Sequence, residues 1–306
     1  MTLAQFEGCL LGLALGDALG APYEGGPLER LVWRLLGTTR KGEMRWTDDT
    51  QMSLDLAESL AEKRELDAND LARRFAQSYR WSRGYGPGAA RLLKQIRRGV
   101  DWQVASRSVY PDGSFGNGGA MRAPVVGLFF ARRPNELINA ARISASVTHA
   151  HPLGMEGAVL LASATALALT RTTPSEILQG AAKNCSCEAF TLRLAIAAKW
   201  LNSGSEPSVR EVTRTLGNKI SASESCVTGL YLALRFMNRP FTDMVRFIAD
   251  GGGDVDTIAA MAGAVWGTAN GIDKLPRERL AKLEQSTRLM NAASALHASN
   301  KLGCIA

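Results

Sequence analysis

The stretch Asp250-Gly-Gly-Gly-Asp-Val-Asp-Thr257 runs directly into Ile258-Ala-Ala-Met-Ala-Gly-Ala-Val-Trp266. Three consecutive glycines favour a loop, because each costs backbone entropy in a regular element. The small and apolar residues that follow predict a buried helix. Asp254, Asp256 and Thr257 therefore lie where a loop enters a helix. They either cap that helix by accepting hydrogen bonds from its first N–H groups or offer hard oxygen ligands to a cation such as Mg²⁺.

A second acidic helix start occurs far upstream, in Trp46-Thr-Asp-Asp-Thr50. Thr47, Asp48 and Asp49 repeat the combination of a hydroxyl and two carboxylates, and an amphipathic helix follows them. If both helix starts point into one cleft, four carboxylates converge and raise one another's pKa. One or two divalent cations held by oxygen ligands would relieve that repulsion. The repetition favours a metal site over two unrelated caps.

The remaining sequence is typical of an all-α protein. Gly8, Gly12 and Gly16 share one face of a helix over residues 3–20, which predicts a central helix in close contact with another. Asp17 is then a buried acid that needs a partner. We find no strand pattern, repeat or Pro/Ser-rich linker, which favours a single domain over residues 1–306. Further helices are predicted at 51–60, 67–80, 89–98, 118–131, 134–147, 154–170, 174–183, 188–202, 207–217, 223–237, 240–249, 257–270, 276–283 and 286–300, with an exposed turn at 23–27.

Composition excludes several classes of protein. The chain has 306 residues, 46% hydrophobic and 21% charged, and its formal charge of +7 is scattered in short pairs. That charge indicates solvated helix faces or a mildly positive surface that attracts a polyanionic ligand, not a dedicated nucleic-acid-binding protein. Five cysteines, an odd number, favour a reducing compartment. No signal peptide or membrane span is predicted, so we expect a cytoplasmic protein without a membrane partner.

A glycine-rich loop and a histidine pair are further candidates for ligand binding. Asp112-Gly-Ser-Phe-Gly-Asn-Gly-Gly-Ala-Met-Arg122 could present N–H groups to phosphates, or it could be a plain helix-entry turn. The P-loop lysine is absent. Thr148-His-Ala-His151 holds two of the three histidines, which either share a metal or lie at the surface or in a cap. No nucleophile elbow or catalytic cysteine signature supports a serine or cysteine hydrolase.

In order along the chain, these motifs resemble the ADP-ribosylglycohydrolase family. The resemblance rests on residues 16–24, 46–51, 113–122, 148–149 and 252–257 and therefore covers essentially the whole chain. It implies an orthogonal multi-helix bundle with a binuclear Mg²⁺ or Mn²⁺ centre in a cleft at helix N-termini. The implied metal ligands are Thr47, Asp48, Asp49, Asp254, Asp256 and Thr257.

The resemblance also implies roles for individual residues. Glu24 corresponds to a mobile acidic flap residue, Asp17 to an acid that orients the metal ligands, and His149 to a histidine that contacts the substrate. Residues 83–88 are expected to line the cleft near the leaving group. The catalytic candidates are Asp48, Asp49, Asp256 and Glu24, and the diphosphate and ribose are expected at Asp112, Gly113, Ser114, Phe115, Gly116, Asn117 and Gly118, with Phe115 beside the distal ribose.

The implied activity is release of ADP-ribose from an ADP-ribosylated protein or small molecule, with two Mg²⁺ or Mn²⁺ ions as cofactors. The favoured substrate linkage is the N-glycosidic bond to arginine. A non-catalytic ADP-ribose-binding protein, or an immunity protein that blocks a toxin, remains an alternative on the same fold. A two-metal phosphohydrolase of nucleotide diphosphates is a third. The presence of Glu24 together with all six metal positions favours the enzyme.

Overall fold

The computed structural model describes residues 1–170 and 173–302 and confirms the all-α prediction. Within these residues the only β-type pairing is a few isolated bridges. The helices are α1 (Leu3–Gly20), α2 (Pro27–Leu36), α3 (Asp48–Lys63), α4 (Ala68–Ser78), α5 (Pro87–Arg97), α6 (Trp102–Ser108), α7 (Ala123–Phe130), α8 (Pro134–Ser146), α9 (Pro152–Ala168), α10 (Pro174–Asn184), α11 (Glu188–Ser203), α12 (Val209–Leu216), α13 (Ala222–Arg235), α14 (Phe241–Gly251), α15 (Val255–Asn270), α16 (Arg277–Leu280) and α17 (Ser286–Leu302).

Helices α1 and α15 form the centre of the fold and pack antiparallel with their backbones in contact. A Cβ atom added at Gly12 would lie 2.3 Å from the carbonyl oxygen of Gly263, and one added at Gly263 would lie 2.2 Å from that of Gly12. Such distances leave no room for a side chain on either helix. The predicted glycine stripe and its close helix–helix contact are therefore confirmed.

This packing also brings the end of α1 to the start of α15. A Cβ at Gly20 would lie 2.7 Å from Cα of Asp256, and Asp17, on the preceding turn, is fully buried. The start of α3 lies beside the same point, because Thr47 and Thr50 contact Asp17. The surrounding core includes the fully buried side chains Trp46, Trp266, Tyr231, Phe6 and Phe75.

The structure corrects four details of the predicted elements. Helices α2 and α6 were missed: α2 begins at Pro27, at the end of the predicted turn, and α6 is too short for a clear hydrophobic period. The predicted helix 118–131 begins only at Ala123, because Pro124 is well suited to the first turn of a helix and not to its interior. Gly251 ends α14, so the loop before α15 is shorter than the glycine run indicated.

None of the described helices is both long and apolar enough to cross a membrane.

Candidate active site

Asp17 organises the start of α3 from the neighbouring helix α1. Its carboxylate accepts hydrogen bonds from the N–H of Thr47 at 3.0 Å and from the N–H of Thr50 at 3.1 Å. The Thr50 hydroxyl donates to it as well, at 2.5 Å. Thr47 completes the cap, because its Oγ1 accepts from the N–H of Asp49 at 3.3 Å. The helix start is therefore capped by Asp17 and Thr47, and the carboxylates of Asp48 and Asp49 are not used as caps.

A short glycine loop organises the start of α15. Gly252 and Gly253 have φ values of 61° and 81°, in the left-handed region that favours glycine. Asn218 holds this loop: its Nδ2 donates to the carbonyl oxygens of Gly251 and Gly252 at 3.0 and 3.1 Å. The backbone N–H of Asp254 in turn donates to the Asn218 carbonyl at 2.9 Å.

The two acidic residues of this second helix start differ in their contacts. Asp254 stands at the N-cap position but its side chain makes no capping hydrogen bond. Its Oδ2 accepts instead from Nδ2 of Asn117, at 2.5 Å. Asp256 accepts from the N–H of Thr257 at 2.8 Å through Oδ1. The sequence left open whether these acids cap the helix or bind a cation. One oxygen of Asp256 does accept from a backbone N–H of the first turn, whereas the Asp254 side chain does not cap the helix.

The two helix starts meet. The Thr257 hydroxyl donates to Oδ1 of Asp49 at 3.3 Å. Carboxylate oxygens of Asp17, Asp49 and Asp256 lie within 4.8 Å of one another, and so do those of Glu24, Asp254 and Asp256. Asp256 belongs to both groups, so the acids form two adjoining clusters.

These acids have no direct partner of opposite charge. Burial raises the pKa of Asp48, Asp49 and Asp256 well above the usual aspartate range, and neighbouring carboxylates raise it further. No ion pair in residues 1–170 and 173–302 involves these three acids, Asp17 or Asp254. Oδ2 of Asp49 is buried and has no hydrogen-bond partner there. Buried, converging carboxylate oxygens with an unsatisfied acceptor could hold a hard divalent cation.

A clamp of three residues supports the segment before α3. The Arg83 guanidinium lies 3.6 Å from the centre of a Trp46 ring and donates to the Trp46 carbonyl at 2.8 Å. It also forms a bidentate ion pair with Glu284, at 2.7 and 2.9 Å. The next residue, Gly84, faces Asp48, since a Cβ there would lie 3.8 Å from Asp48 Oδ1. Gly84, within the segment 83–88, thus lies beside Asp48.

The glycine-rich loop lies between the segments 149–151 and 220–222. The N–H of Asn117 donates to the Ile220 carbonyl at 2.9 Å, and the Phe115 carbonyl accepts from the N–H of Ala222 at 3.0 Å. Phe115 is 51% exposed, which leaves its ring available to a ligand. The Asn117 side chain, in contrast, is buried and donates to Asp254 and Ser225. This loop residue therefore orients an acid of the cluster.

The remaining predicted loop residues take different positions. Asp112 is exposed, Ser114 and Gly116 are partly buried, and Gly113 and Gly118 are buried. A short 3₁₀ turn, Asn117–Gly119, follows the loop in place of the predicted helix start. The loop therefore does not lead directly into an α-helix N-terminus, and any phosphate would contact its N–H groups without a long helix behind them.

The two neighbouring histidines make separate contacts. The His149 ring packs on the glycine-rich loop, where a Cβ at Gly118 would lie 2.4 Å from its Cε1. His151 caps α9, with Nδ1 accepting from the N–H of Leu153 at 3.1 Å, and its ring meets Phe115 edge-on at 6.0 Å. The capping alternative therefore describes His151.

The sequence did not identify the polar residues that hold the loops of the site by hydrogen bonds. Asn218 and Ser225 belong to no recognisable motif, and Arg122 was noted only as the end of the glycine-rich segment. An arginine at the end of a loop motif is visible in the sequence, but its burial, which requires dedicated partners, is seen only in the structure.

Comparison with known proteins now identifies the family. The sequence matches the ADP-ribosylglycohydrolase family over residues 2–304. The chain belongs to the ADP-ribosylglycohydrolase family. Membership assigns it to the glycohydrolase enzymes and agrees with the resemblance found in the sequence.

Individual relatives support this assignment over most of the chain. Human ADP-ribosylhydrolase ARH3 is 33% identical over 321 residues, covering 90% of this chain and 88% of that protein. The ADP-ribosyl-[dinitrogen reductase] glycohydrolase of Rhodospirillum rubrum is 30% identical over 287 residues, covering 90% and 89%. A solved structure titled "ADP-ribosylglycohydrolase-related protein complex" superimposes with a TM-score of 0.67 at 26% identity, covering 97% of this chain and 98% of that one.

Proposed function

We propose that this ADP-ribosylglycohydrolase hydrolyses the bond between C1″ of the distal ribose and an acceptor atom, with the arginine N-glycosidic linkage as its substrate class. ADP-ribosylated proteins or small molecules are the substrates, and ADP-ribose is the product. The observation that carries the proposal is the pair of buried carboxylate clusters that share Asp256 and that Asn117 links to the glycine-rich loop.

Two Mg²⁺ or Mn²⁺ ions fit this donor set, and when bound they would neutralise the carboxylates, orient ribose hydroxyls and lower the pKa of a water. Asp49, Asp254 and Asp256 are buried within the two clusters, and we assign them to holding the ions. The remaining proposed ligands are Thr47, Asp48 and Thr257. Asp17 is not assigned as a ligand; it orients the start of α3 by accepting from the N–H groups of Thr47 and Thr50.

Two acids remain accessible for proton transfer. Glu24 and Asp48 are only partly buried, whereas Asp49 and Asp256 lie inside the protein. In hydrolysis a water oxygen bonds to C1″ and its proton passes to a carboxylate. The C1″–nitrogen bond breaks, and its electron pair and a proton go to the acceptor nitrogen. We propose that Glu24 and Asp48 share these two roles: one accepts the proton from water, and the other donates a proton to the acceptor nitrogen.

The ligand-binding side of the site is the glycine-rich loop. Its backbone N–H groups are proposed to bind the diphosphate, and the exposed Phe115 ring to pack beside the distal ribose. The ring of His149, which packs against this loop, is proposed to contact the ligand as well. The loop at 83–88, beside Asp48, is proposed to face the acceptor that leaves.

The test is product analysis on arginine-, serine-, guanidine- and O-acetyl-linked ADP-ribose, each with Mg²⁺ and with Mn²⁺. We expect intact ADP-ribose from the arginine and guanidine linkages, and loss of turnover with EDTA. Asp256→Ala is expected to lower kcat/KM by more than about 100-fold, because even outer partners of metal ligands cost 10–100-fold.

Other outcomes of these assays would support one of the two alternative functions. Tight ADP-ribose binding without turnover on any linkage would identify a binding or toxin-blocking protein. AMP plus ribose phosphate would identify a phosphohydrolase. Full activity of Asp256→Ala in the presence of EDTA would contradict the metal-dependent mechanism.

We further propose that residues 1–306 act as one domain in a reducing compartment such as the cytoplasm. The first and last helices, α1 and α17, pack against each other, which supports a single folding unit. Cys9, Cys185, Cys187 and Cys226 are free thiols, which supports a reducing environment.

A further inference from the structure

A fully buried cation lies behind the glycine-rich loop. Arg122 is 0% exposed and donates to the carbonyl oxygens of Gly118 at 2.5 Å and Ser144 at 2.7 Å. A third hydrogen bond runs from its Nη2 to Oγ1 of Thr148, at 3.0 Å. The guanidinium also lies 4.8 Å from the centre of the Phe75 ring. Burial lowers the pKa of Arg122 to about 9, so it remains protonated at neutral pH and can only donate.

The hydrogen-bond direction at Thr148 follows from that. Since arginine has no acceptor, the Thr148 oxygen must accept from it, and the hydroxyl hydrogen is left to donate elsewhere. Nδ1 of His149 lies 2.8 Å from the Thr148 oxygen and is the acceptor that the described residues provide. If Nδ1 carried the proton, the buried Thr148 hydroxyl hydrogen would have no acceptor among the described residues; the arrangement that satisfies it puts a lone pair on Nδ1 of His149.

The ring of His149 is neutral in this setting. Burial, together with the positive charge of Arg122, lowers the pKa of His149 to about 3. With Nδ1 unprotonated, the single ring proton lies on Nε2. That nitrogen faces the glycine-rich loop, because Cβ atoms at Gly116 and Gly118 would lie 3.3 and 2.8 Å from it. Within the described part of the chain Nε2 makes no hydrogen bond.

We propose that Thr148 is a positioning residue that fixes His149 as the Nε2–H tautomer, and that this N–H donates to an oxygen of the ligand bound at the glycine-rich loop. The opposite tautomer would place a nitrogen lone pair against the lone pairs of a phosphate oxygen, which has no hydrogen to donate. A neutral donor binds such an oxygen without the desolvation of a second buried cation. The ligand part rests on the proposed function, since it takes ADP-ribose as the ligand, whereas the tautomer does not.

The tautomer is tested by NMR on protein labelled with ¹⁵N-histidine. Thr148→Val removes the hydroxyl at nearly constant shape, and Thr148→Ser keeps it. At pH 7 we expect the Nε2–H pattern for His149 in the wild type and in Thr148→Ser, with a clear loss of that pattern in Thr148→Val. His151 and His297 serve as internal references, and unchanged resonances for both show that the variants are folded. An Nδ1–H pattern in the wild type, or an unchanged His149 signal in Thr148→Val, would overturn the proposal.

The ligand part is tested by titrating ADP-ribose itself into the same three proteins. Loss of one well-oriented hydrogen bond is expected to raise Kd about tenfold in Thr148→Val and to leave Thr148→Ser close to the wild type. KM should follow Kd, with a smaller change in kcat. Equal ADP-ribose affinity in all three proteins would overturn the ligand part. If the wild type does not bind ADP-ribose at all, the proposed function and the ligand part both fail, while the NMR spectrum still decides the tautomer.

Discussion

The two helix starts that form the acidic cluster carry similar residues but are held in different ways. The start of α3 depends on one buried carboxylate, Asp17, which accepts three hydrogen bonds from Thr47 and Thr50. The start of α15 depends on backbone shape: two glycines with positive φ and the side chain of Asn218. One is a polar network inside the protein, and the other is a loop that is partly open to water.

The start of α3 and the start of α15 are called here the α3 half and the α15 half of the acidic site. The difference between them indicates how each half tolerates substitution. Buried donors that lose their acceptor cannot turn to water, so they cost the full desolvation energy. Loop carbonyls that remain partly exposed can be hydrated instead. The α3 half should therefore be the more sensitive of the two, although both present two aspartates and a threonine.

The largest effect is expected where the two halves are joined. Gly12→Ala would place Cβ 2.3 Å from the Gly263 carbonyl oxygen and push α1 away from α15. We expect a loss of about 3 kcal/mol or more in the free energy of unfolding, as for severe overpacking, measured by urea denaturation. Gly86→Ala is the control, because its Cβ would meet open space. Equal stability of the two variants would contradict the close contact.

The next effect concerns the α3 half alone. Asp17→Asn keeps one oxygen for Thr47 and Thr50 and replaces the other, which contacts only the Thr47 N–H, by an NH₂ group. That NH₂ group is a buried donor that faces another donor and has no acceptor. We expect about 2 kcal/mol of destabilisation and at least roughly tenfold weaker Mn²⁺ binding, as for outer partners of metal ligands, measured by denaturation and by calorimetry.

Asp55→Asn is the matched control for Asp17→Asn. Asp55 is also buried in α3 and accepts from Gln51 and Ser78. Its partners are side chains, which can turn to suit an asparagine amide, whereas Asp17 accepts from two backbone N–H groups that cannot turn. If both variants weakened Mn²⁺ binding equally, Asp17 would have no special role in holding the acidic helix start.

The smallest effect is expected in the α15 half. Asn218→Ala removes two hydrogen bonds to Gly251 and Gly252, whose backbones are partly exposed. Water can replace these bonds, so we expect about 1 kcal/mol of destabilisation and a smaller loss of Mn²⁺ affinity than for Asp17→Asn. A larger loss would reverse the ranking of the two halves.

The sequence revealed those parts of the molecule that depend on local chemistry. The glycine stripe of α1, the acidic helix starts and the family motifs are all visible as residue types at fixed spacings. The buried network was less visible, because the partner of an inward-facing side chain depends on tertiary packing. Asn117 illustrates this: its motif predicted a ligand-binding loop, and no local pattern indicated that its amide also donates to Asp254. Asn218 lies between two unremarkable elements, so no local pattern could assign it to the α15 half.

The central claim is that the two helix starts together hold divalent cations, and Mn²⁺ titration by calorimetry at neutral pH tests it most directly. Oδ2 of Asp49 is buried and unsatisfied in the described structure, so Asp49→Asn removes a ligand while leaving the fold in place. We expect two ions per chain in the wild type and in Asp55→Asn, and weaker binding with fewer ions in Asp49→Asn. Absence of Mn²⁺ binding by the wild type, or identical titrations for all three proteins, would contradict the account.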